Sequence, residues 1–284
     1  MKLISYEDGR GPRIAGLRGQ EIIDLNTADP AVPSCPKAFL ARLPEVIAPA
    51  EKALAAGEPI VESLMWLPPV PSPEKIICIG LNYADHARET KAAIPSCPVV
   101  FNKFPTALLP HEGTVRLPQA SRQVDYEAEL VLVIGRTGRH IAQSDARSHI
   151  AAYTCGNDIS ARDWQKDKPG GQWLSGKSFD TFAPCGPWMV TADEIPDPGK
   201  LGIKLRLNGQ VMQDSNTAEL IFSVDQLVSY ISQFCTLHPG DLIYTGTPSG
   251  VGMGRQPPVY LKPGDVTEVE IEGVGVLRNR FEGE

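Results

Sequence analysis

The chain has 284 residues, of which 42% are hydrophobic, and carries a formal net charge of −7. This length and apolar content suit one large domain with an appendage. The sequence contains no block rich in Lys and Arg, so we expect no nucleic-acid partner. No apolar run approaches the length of a membrane span, and the N-terminus turns polar after four residues, so we expect no membrane segment and no secretion signal.

The six cysteines are scattered along the chain, without a CxxC pair or the spacing of a zinc finger. Several lie within apolar strings, as Cys78 does in KIICIG. This pattern favours small, reduced, buried thiols over disulfide bonds. Together with the absence of a secretion signal, it predicts a cytoplasmic protein.

The first 72 residues predict a small N-terminal α/β appendage. Residues 1–30 read as short strands separated by turns, and residues 35–57 are rich in Ala and Leu in a helical pattern. Residues 67–73, LPPVPSP, contain four prolines, which cannot form a helix and resist sheet pairing. We therefore predict a boundary between an N-terminal domain of residues 1–72 and a main domain of residues 73–284.

The main domain begins with a predicted strand, KIICIG at residues 75–80, followed by a polar helical segment. On that helix His86 and Glu89 are three residues apart, so their side chains share one face. The pair alone fits either an exposed surface ion pair or a base oriented by a carboxylate. The next predicted strand, residues 98–104, carries Lys103.

The stretch from Val124 to Gly135, VDYEAELVLVIG, predicts one strand whose second half is buried on both faces. Asp125, Glu127 and Glu129 alternate along it and therefore point to one face. Two carboxylates about 4 Å apart repel by roughly 4 kcal/mol at an effective dielectric constant of about 20. A hard divalent cation would offset that cost; the alternative is that the acidic end projects into water.

The whole sequence holds 26 glycines and 26 prolines, a composition that favours many short strands and turns. Residues 147–160 run into a polar loop that contains Asp158. Asn208 and Gly209 predict the turn of a β-hairpin. Ser223 and Gln226 predict a capping box at the start of an amphipathic helix.

Five segments, in this order, resemble the motifs of the fumarylacetoacetate hydrolase family: GLNYADHARE, VDYEAELVLVIG, GNDISARDWQ, GKSFDTFAP and PGDLIYTGTPSGVG. The resemblance covers residues 73–284. It implies an α+β, mostly β fold, the mixed β-sandwich roll of that family, with the small N-terminal α/β appendage beside it. It also implies a homodimer.

The resemblance further implies a Mg²⁺ or Mn²⁺ ion held by Glu127, Glu129 and Asp158. Ca²⁺ could take its place in crystals. Three carboxylates would leave about half of an octahedral shell open for water or for the oxygens of a substrate. Asp125 is not a ligand in the family pattern, and we expect it to lie beside the ligands or at the surface.

The same resemblance implies three catalytic residues, His86, Glu89 and Lys177. His86 and Glu89 would form a base on a lid over the substrate, and Lys177 would stabilise an oxyanion or enolate. Taken alone, Lys177 could instead be a solvated loop lysine, which is the usual fate of Lys.

Four further residues match positions beside the substrate, namely Lys103, Arg162, Gln165 and Thr247. Arg162 could instead pair with Asp163 or Asp158, and Thr247 could simply form its turn. Leu81 stands where some family members carry Arg, which removes one possible contact with an anion.

From this resemblance we expect a metal-dependent hydrolase that cleaves a C–C bond in a β-diketo acid, of the acylpyruvate or 2,4-diketo-3-deoxy sugar acid type, into pyruvate or a related keto acid and a carboxylic acid. The alternative is another reaction of the same enolate: oxaloacetate decarboxylation or tautomerisation, isomerisation, or sugar-acid dehydration. A third hypothesis is a non-catalytic protein whose cation only stabilises the fold. The expected partner is a small keto acid.

Overall fold

The structure is a computed structural model that describes residues 1–171 and 173–284. Within these ranges the α-helices are α1 (Leu25–Ala28), α2 (Pro36–Ala41), α3 (Leu43–Ala56), α4 (Ala84–Thr90), α5 (Arg162–Lys166), α6 (Leu174–Lys177) and α7 (Val224–Phe234). The strands are β1 (Lys2–Glu7), β2 (Pro12–Arg18), β3 (Glu21–Asp24), β4 (Met65–Leu67), β5 (Ile76–Gly80), β6 (Val99–Lys103), β7 (Leu108–Leu109), β8 (Thr114–Leu117), β9 (Val124–Asp125), β10 (Ala128–Ile134), β11 (Ile150–Asn157), β12 (Ser160–Ala161), β13 (Ala183–Thr191), β14 (Gly202–Leu207), β15 (Gln210–Asn216), β16 (Leu242–Tyr244), β17 (Val266–Ile271) and β18 (Gly275–Gly283).

A large mixed sheet forms the centre of the molecule, in the order β3-β2-β1-β13-β11-β10-β16-β5-β6, with β4 paired to β1 and β7 paired to β13. A smaller sheet, in the order β15-β14-β17-β18-β8, packs across β10, β11 and β13. The fold is therefore α+β and mostly β, with two sheets packed face to face, which confirms the predicted fold class.

Strand β10 is buried on both faces because a hydrophobic core lies on each side of it. Leu130 and Leu132 belong to the core shared with the smaller sheet and α7. Val131 and Val133 belong to a second core, shared with residues of α2 and α3. The continuous apolar run of the sequence thus marks a strand between two packed layers.

The N-terminal residues extend the large sheet, since β1 pairs with β13 in antiparallel register, Lys2 opposite Val190. Helices α2 and α3 supply Phe39, Val46 and Ala50 to the core that holds Val131. A domain division at residue 72 stays a prediction.

The acidic stretch is two strands rather than the one predicted. β9 ends at Asp125 and β10 begins at Ala128. Between them the backbone N–H of Tyr126 bonds the carboxylate of Asp125, and that of Glu127 bonds the side chain of Asn157. Side-chain acceptors therefore replace the sheet partners at this break, which the alternating pattern could not show.

Two local predictions are confirmed. Asn208 and Gly209 form the turn between β14 and β15, and both have positive φ, 53° and 80°. Ser223 and Gln226 form the capping box of α7. Of the six cysteines, all free, three are buried, Cys78, Cys155 and Cys185, while Cys35 and Cys97 are exposed, so the expectation of buried thiols holds for part of the set. No helix in the described residues is both long and apolar enough to cross a membrane.

We expect Val133→Ala to lower the free energy of unfolding by about 2 kcal/mol, because it removes apolar contacts from a closed core. Val61→Ala is the matched control, since the same atoms are lost from a residue that is 94% exposed. Urea denaturation of the two variants and the wild type measures the difference. Equal midpoints for the two variants would contradict the double-sided burial of β10.

Candidate metal centre and active-site cavity

The site lies where β10 begins and its neighbours end. β10 runs antiparallel to β11 and β16, so Ala128 pairs with Asn157 and Val131 pairs with Tyr244. β5 is parallel to β16 and therefore ends on the same side. Residues that precede β10 and residues that follow β5, β11 and β16 meet at one edge of the sheet, which is why segments remote in sequence contribute to one site.

Glu127, Glu129 and Asp158 form a buried carboxylate triad at this edge. Each offers one oxygen, and the three oxygens lie within 4.8 Å of one another. The backbone holds the arrangement, because the N–H of Asp158 donates to the carbonyl of Glu127 at 2.9 Å. These residues could hold a metal ion.

Glu129 is the member of the triad whose charge lacks a partner. Its Oε2 accepts a hydrogen bond from the N–H of Gly246 at 2.7 Å, but among the described residues no cationic side chain pairs with it. Burial, and then the charges of Asp158 and Glu127, raise the pKa of Glu129 well above its ordinary value. A divalent cation would supply the missing positive charge, and the all-oxygen donor set is one that hard cations favour.

Lys177, the last residue of α6, bridges the other two carboxylates. Its Nζ lies 2.7 Å from Oε2 of Glu127 and 2.8 Å from Oδ2 of Asp158. Burial opposes its charge, yet the two carboxylates raise its pKa, so Lys177 is cationic. In return, Lys177 and Arg162 overcome the effect of burial on Glu127 and lower its pKa to about 2.

Arg162 forms ion pairs with two carboxylates, those of Asp125 and Glu127. Its Nε and Nη2 lie 2.9 and 2.8 Å from Oδ2 of Asp125, its Nη2 lies 2.6 Å from Glu127, and its Nη1 donates to Oε1 of Gln165 at 2.9 Å. Asp125 is fully buried and also accepts the backbone N–H groups of Gly252 and Met253. Arg162 thus pairs with acids other than the two the sequence suggested, and Asp125 lies directly beside the ligand group.

Lys103 is placed behind Asp158, away from solvent. It is 1% exposed, and its Nζ lies 2.6 Å from Oδ1 of Asp158. The same nitrogen donates to the carbonyls of Ile159, Lys177 and Phe182 at 3.0, 2.5 and 2.6 Å. A role of Lys103 in substrate binding stays a prediction, and the observed contacts are those of a residue that fixes the loop of Asp158.

His86 and Glu89 lie on α4, as predicted, with Nδ1 of His86 3.0 Å from Oε2 of Glu89. The other oxygen of Glu89 accepts the N–H of Gly250 at 2.9 Å. Asp85 ties the same helix to the smaller sheet, because its Oδ2 accepts from Ser215 of β15 at 2.6 Å. The pair is partly buried and held at both ends, so it differs from a free surface ion pair.

A cavity of about 270 Å³ brings these groups together. Of the predicted site residues, those that line it are His86, Glu127, Arg162, Gln165, Lys177 and Thr247. Thr247 accepts from Nε2 of Gln213 at 2.8 Å, which fixes its position in the loop after β16. The cavity therefore joins a candidate base, a candidate metal centre and several hydrogen-bonding groups.

Several lining residues escaped the sequence analysis, among them Phe101, Lys166 and Trp173. Trp173 packs against Gly80, where a β-carbon would lie 2.1 Å from the indole, so only glycine fits there. Lys166 follows Arg162 by four residues on α5, and that spacing is the one signal that could have found it. The aromatic residues carried no such signal.

The fold and the buried triad define an enzyme class built on packed β-sheets. The chain belongs to the fumarylacetoacetate hydrolase family, because the family model "Fumarylacetoacetate (FAA) hydrolase C-terminal" matches residues 75–282.

Comparison with individual proteins gives the same family. Oxaloacetate tautomerase fahd2, mitochondrial, of Xenopus laevis is 45% identical over 98% of this chain and 89% of its own length. Oxaloacetate tautomerase Fahd2a, mitochondrial, of Rattus norvegicus is 46% identical over 92% of this chain and 84% of its own length. The solved structure of a fumarylacetoacetate hydrolase from Exiguobacterium antarcticum has a TM-score of 0.85 at 33% identity, covering 100% of both chains.

These comparisons correct two predictions. The expected hydrolase of β-diketo acids is wrong, since the relatives with the higher identity are oxaloacetate tautomerases by name. The motifs misled because they identify a metal and enolate site, which several reactions share. The expected cytoplasmic location is contradicted too, because the same relatives are mitochondrial by name. The composition and cysteine pattern on which that prediction rested do not separate these two compartments.

We expect Glu129→Gln to abolish or strongly weaken the binding of Mn²⁺, because it removes the carboxylate charge that has no other partner. Glu45→Gln, on the surface of α3, is the control for the loss of one negative charge. Isothermal titration with Mn²⁺ measures both variants. Wild-type affinity in Glu129→Gln would show that the triad is not the metal centre.

Proposed function

We propose that this protein catalyses the keto–enol tautomerisation of oxaloacetate, with Mg²⁺ or Mn²⁺ held by Glu127, Glu129 and Asp158. The observation that carries the proposal is that His86, held by Glu89, and Glu127 of the carboxylate triad line one cavity. The names of the relatives that are 45% and 46% identical support the choice of substrate. The small-molecule partner is thus a 2-keto dicarboxylic acid, and a homodimer stays a prediction from the family.

The choice of ion follows from its ligands. The triad offers carboxylate oxygens alone, which suit Mg²⁺ or Mn²⁺ better than Zn²⁺. A cation bound there supplies a Lewis acid that favours an enolate over the ketone.

His86 has the geometry of a base for this reaction. Its Nδ1 faces the carboxylate of Glu89, so Nδ1 carries the proton and Nε2 is left as the acceptor. In the keto-to-enol direction, Nε2 takes a proton from C3 as that C–H bond breaks, and the same Nε2–H then gives this proton to the carbonyl oxygen, which becomes the enol hydroxyl. The reverse direction retraces the same transfers, so no co-reactant is needed.

Lys177 stabilises the charge that develops on the substrate oxygen. It is buried and cationic, and it already faces two members of the triad. A fixed positive charge in a buried site needs little reorganisation when the enolate forms. Because its pKa is raised, Lys177 serves as a charge and a hydrogen-bond donor, while proton abstraction falls to His86.

The need for a general base distinguishes tautomerisation of oxaloacetate from its decarboxylation. Loss of CO₂ from oxaloacetate breaks a C–C bond and requires no proton to be removed from C3. In decarboxylation a histidine held by a carboxylate would only return a proton to C3 of the pyruvate enolate, whereas tautomerisation needs it to remove one. The same argument counts against a cation that only stabilises the fold, since such a site needs no oriented base.

We expect His86→Asn to lower the rate of enolisation by roughly 100-fold or more while Mn²⁺ binding stays intact, because a general base contributes about 10² to 10⁴ in rate. Glu89→Gln should lower it less, since the imidazole remains. The enol is conjugated, so its ultraviolet absorbance reports the rate directly. His140→Asn, at an exposed site beside Gln233, is the control.

A wild-type rate of enolisation in His86→Asn would show that His86 is not the base. Release of pyruvate and CO₂ as fast as the absorbance changes, in wild type and His86→Asn alike, would replace tautomerisation with decarboxylation.

A further inference from the structure

The cations that line the cavity differ in whether they are already paired. Arg162 is held by Asp125 and Glu127, and Lys177 by Glu127 and Asp158. Lys166 also lines the cavity, yet among the described residues no carboxylate pairs with it. It is thus the lining cation that retains its full capacity for an anion brought by a ligand.

The position of Lys166 follows from helix geometry. It ends α5 four residues after Arg162, so both side chains share the face that is turned to the cavity. Burial and the positive charge of Arg162 lower the pKa of Lys166. An anion bound beside Lys166 would relieve this repulsion.

The sum of the charges around the cavity also favours a negatively charged ligand. The buried acids around the site are Asp125, Glu127, Glu129 and Asp158, and the buried cations are Lys103, Arg162 and Lys177. One negative charge is therefore left over, and a divalent cation would turn it into one positive charge. Lys166 adds a second positive charge, and two positive charges match a dianion.

The lining also includes Leu81, Phe101 and Trp173, which offer no charge to a second carboxylate. Leu81, which has a positive φ of 48°, is thus an apolar part of the cavity wall. A dicarboxylic acid in this cavity therefore finds its second cationic partner at Lys166.

We propose that Lys166 binds the distal carboxylate of the substrate and so makes the site selective for dicarboxylic over monocarboxylic 2-keto acids. This proposal rests on the proposed function, because it assigns the two ends of that substrate. The 2-keto acid end lies toward the triad and His86, and the carboxylate on C3 lies toward the end of α5.

The test compares Lys166→Gln with Lys168→Gln, which removes the same charge from a lysine that stacks over Trp164. We expect Lys166→Gln to raise KM for oxaloacetate by about 10- to 100-fold with kcat nearly unchanged, because one charge-assisted contact is lost in ground state and transition state alike. Exchange of the C3 hydrogens of pyruvate with deuterium, followed by NMR, should be unaffected. Lys166→Arg should restore a low KM for oxaloacetate.

Equal losses for oxaloacetate and pyruvate, or an equal effect of Lys168→Gln, would overturn the proposal.

A binding measurement separates this proposal from the proposed function. Titration of the Mn²⁺-loaded protein with malate and lactate, which do not enolise, compares a dianion with a monoanion. If wild type does not enolise oxaloacetate, the proposed function fails. A 10- to 100-fold loss confined to malate in Lys166→Gln would still support the dianion site, and equal affinities in wild type and variant would refute it.

Discussion

The structure depends on an electrostatic balance inside a closed β fold. Four carboxylates and three cations are buried within a few side chains of one another. An unpaired buried charge is costly, so each acid needs a partner at hydrogen-bond distance. Asp125, Glu127 and Asp158 find theirs in Arg162, Lys177 and Lys103, and Glu129 has only the N–H of Gly246. The charge of Glu129, which no cationic side chain neutralises among the described residues, is what would attract a cation to the proposed metal centre.

The second requirement is that the charged groups do not move apart. Backbone carbonyls of Ile159 and Phe182 hold the ammonium of Lys103, and two N–H groups after β16 hold Asp125. Side chains with several fixed partners lose little freedom when a ligand arrives. The candidate base is fixed in the same manner, since Asp85 and Glu89 anchor α4 from both ends. These hydrogen bonds therefore fix the charged groups around the cavity.

Much of this arrangement was open to sequence reasoning, because local signals agree with the fold. Asn208-Gly209, the capping box of Ser223 and the apolar run of β10 each specify their element through short-range chemistry. The triad could be expected from the cost of neighbouring carboxylates. The partners of Arg162 could not, because Asp125 approaches it through the break after β9, which no periodicity encodes. The choice between hydrolysis and the proposed tautomerisation was also beyond reach, since the residues expected to stabilise an enolate are the same for both. Lys166 went unnoticed because an exposed lysine at a helix end is ordinary until a cavity is seen beside it.

Strand β10 is buried on both faces, and the N-terminal residues help to cover one of them. Val131 and Val133 belong to the same core as Phe39, Val46 and Ala50, and the next residue on that face toward the start of the strand is Glu129. A shortened chain without its first 72 residues would lose these three residues from the core and expose apolar surface to water. The N-terminal residues thus complete the core on one face of the strand that carries Glu129, so an engineered or transplanted version of this sheet would need both parts.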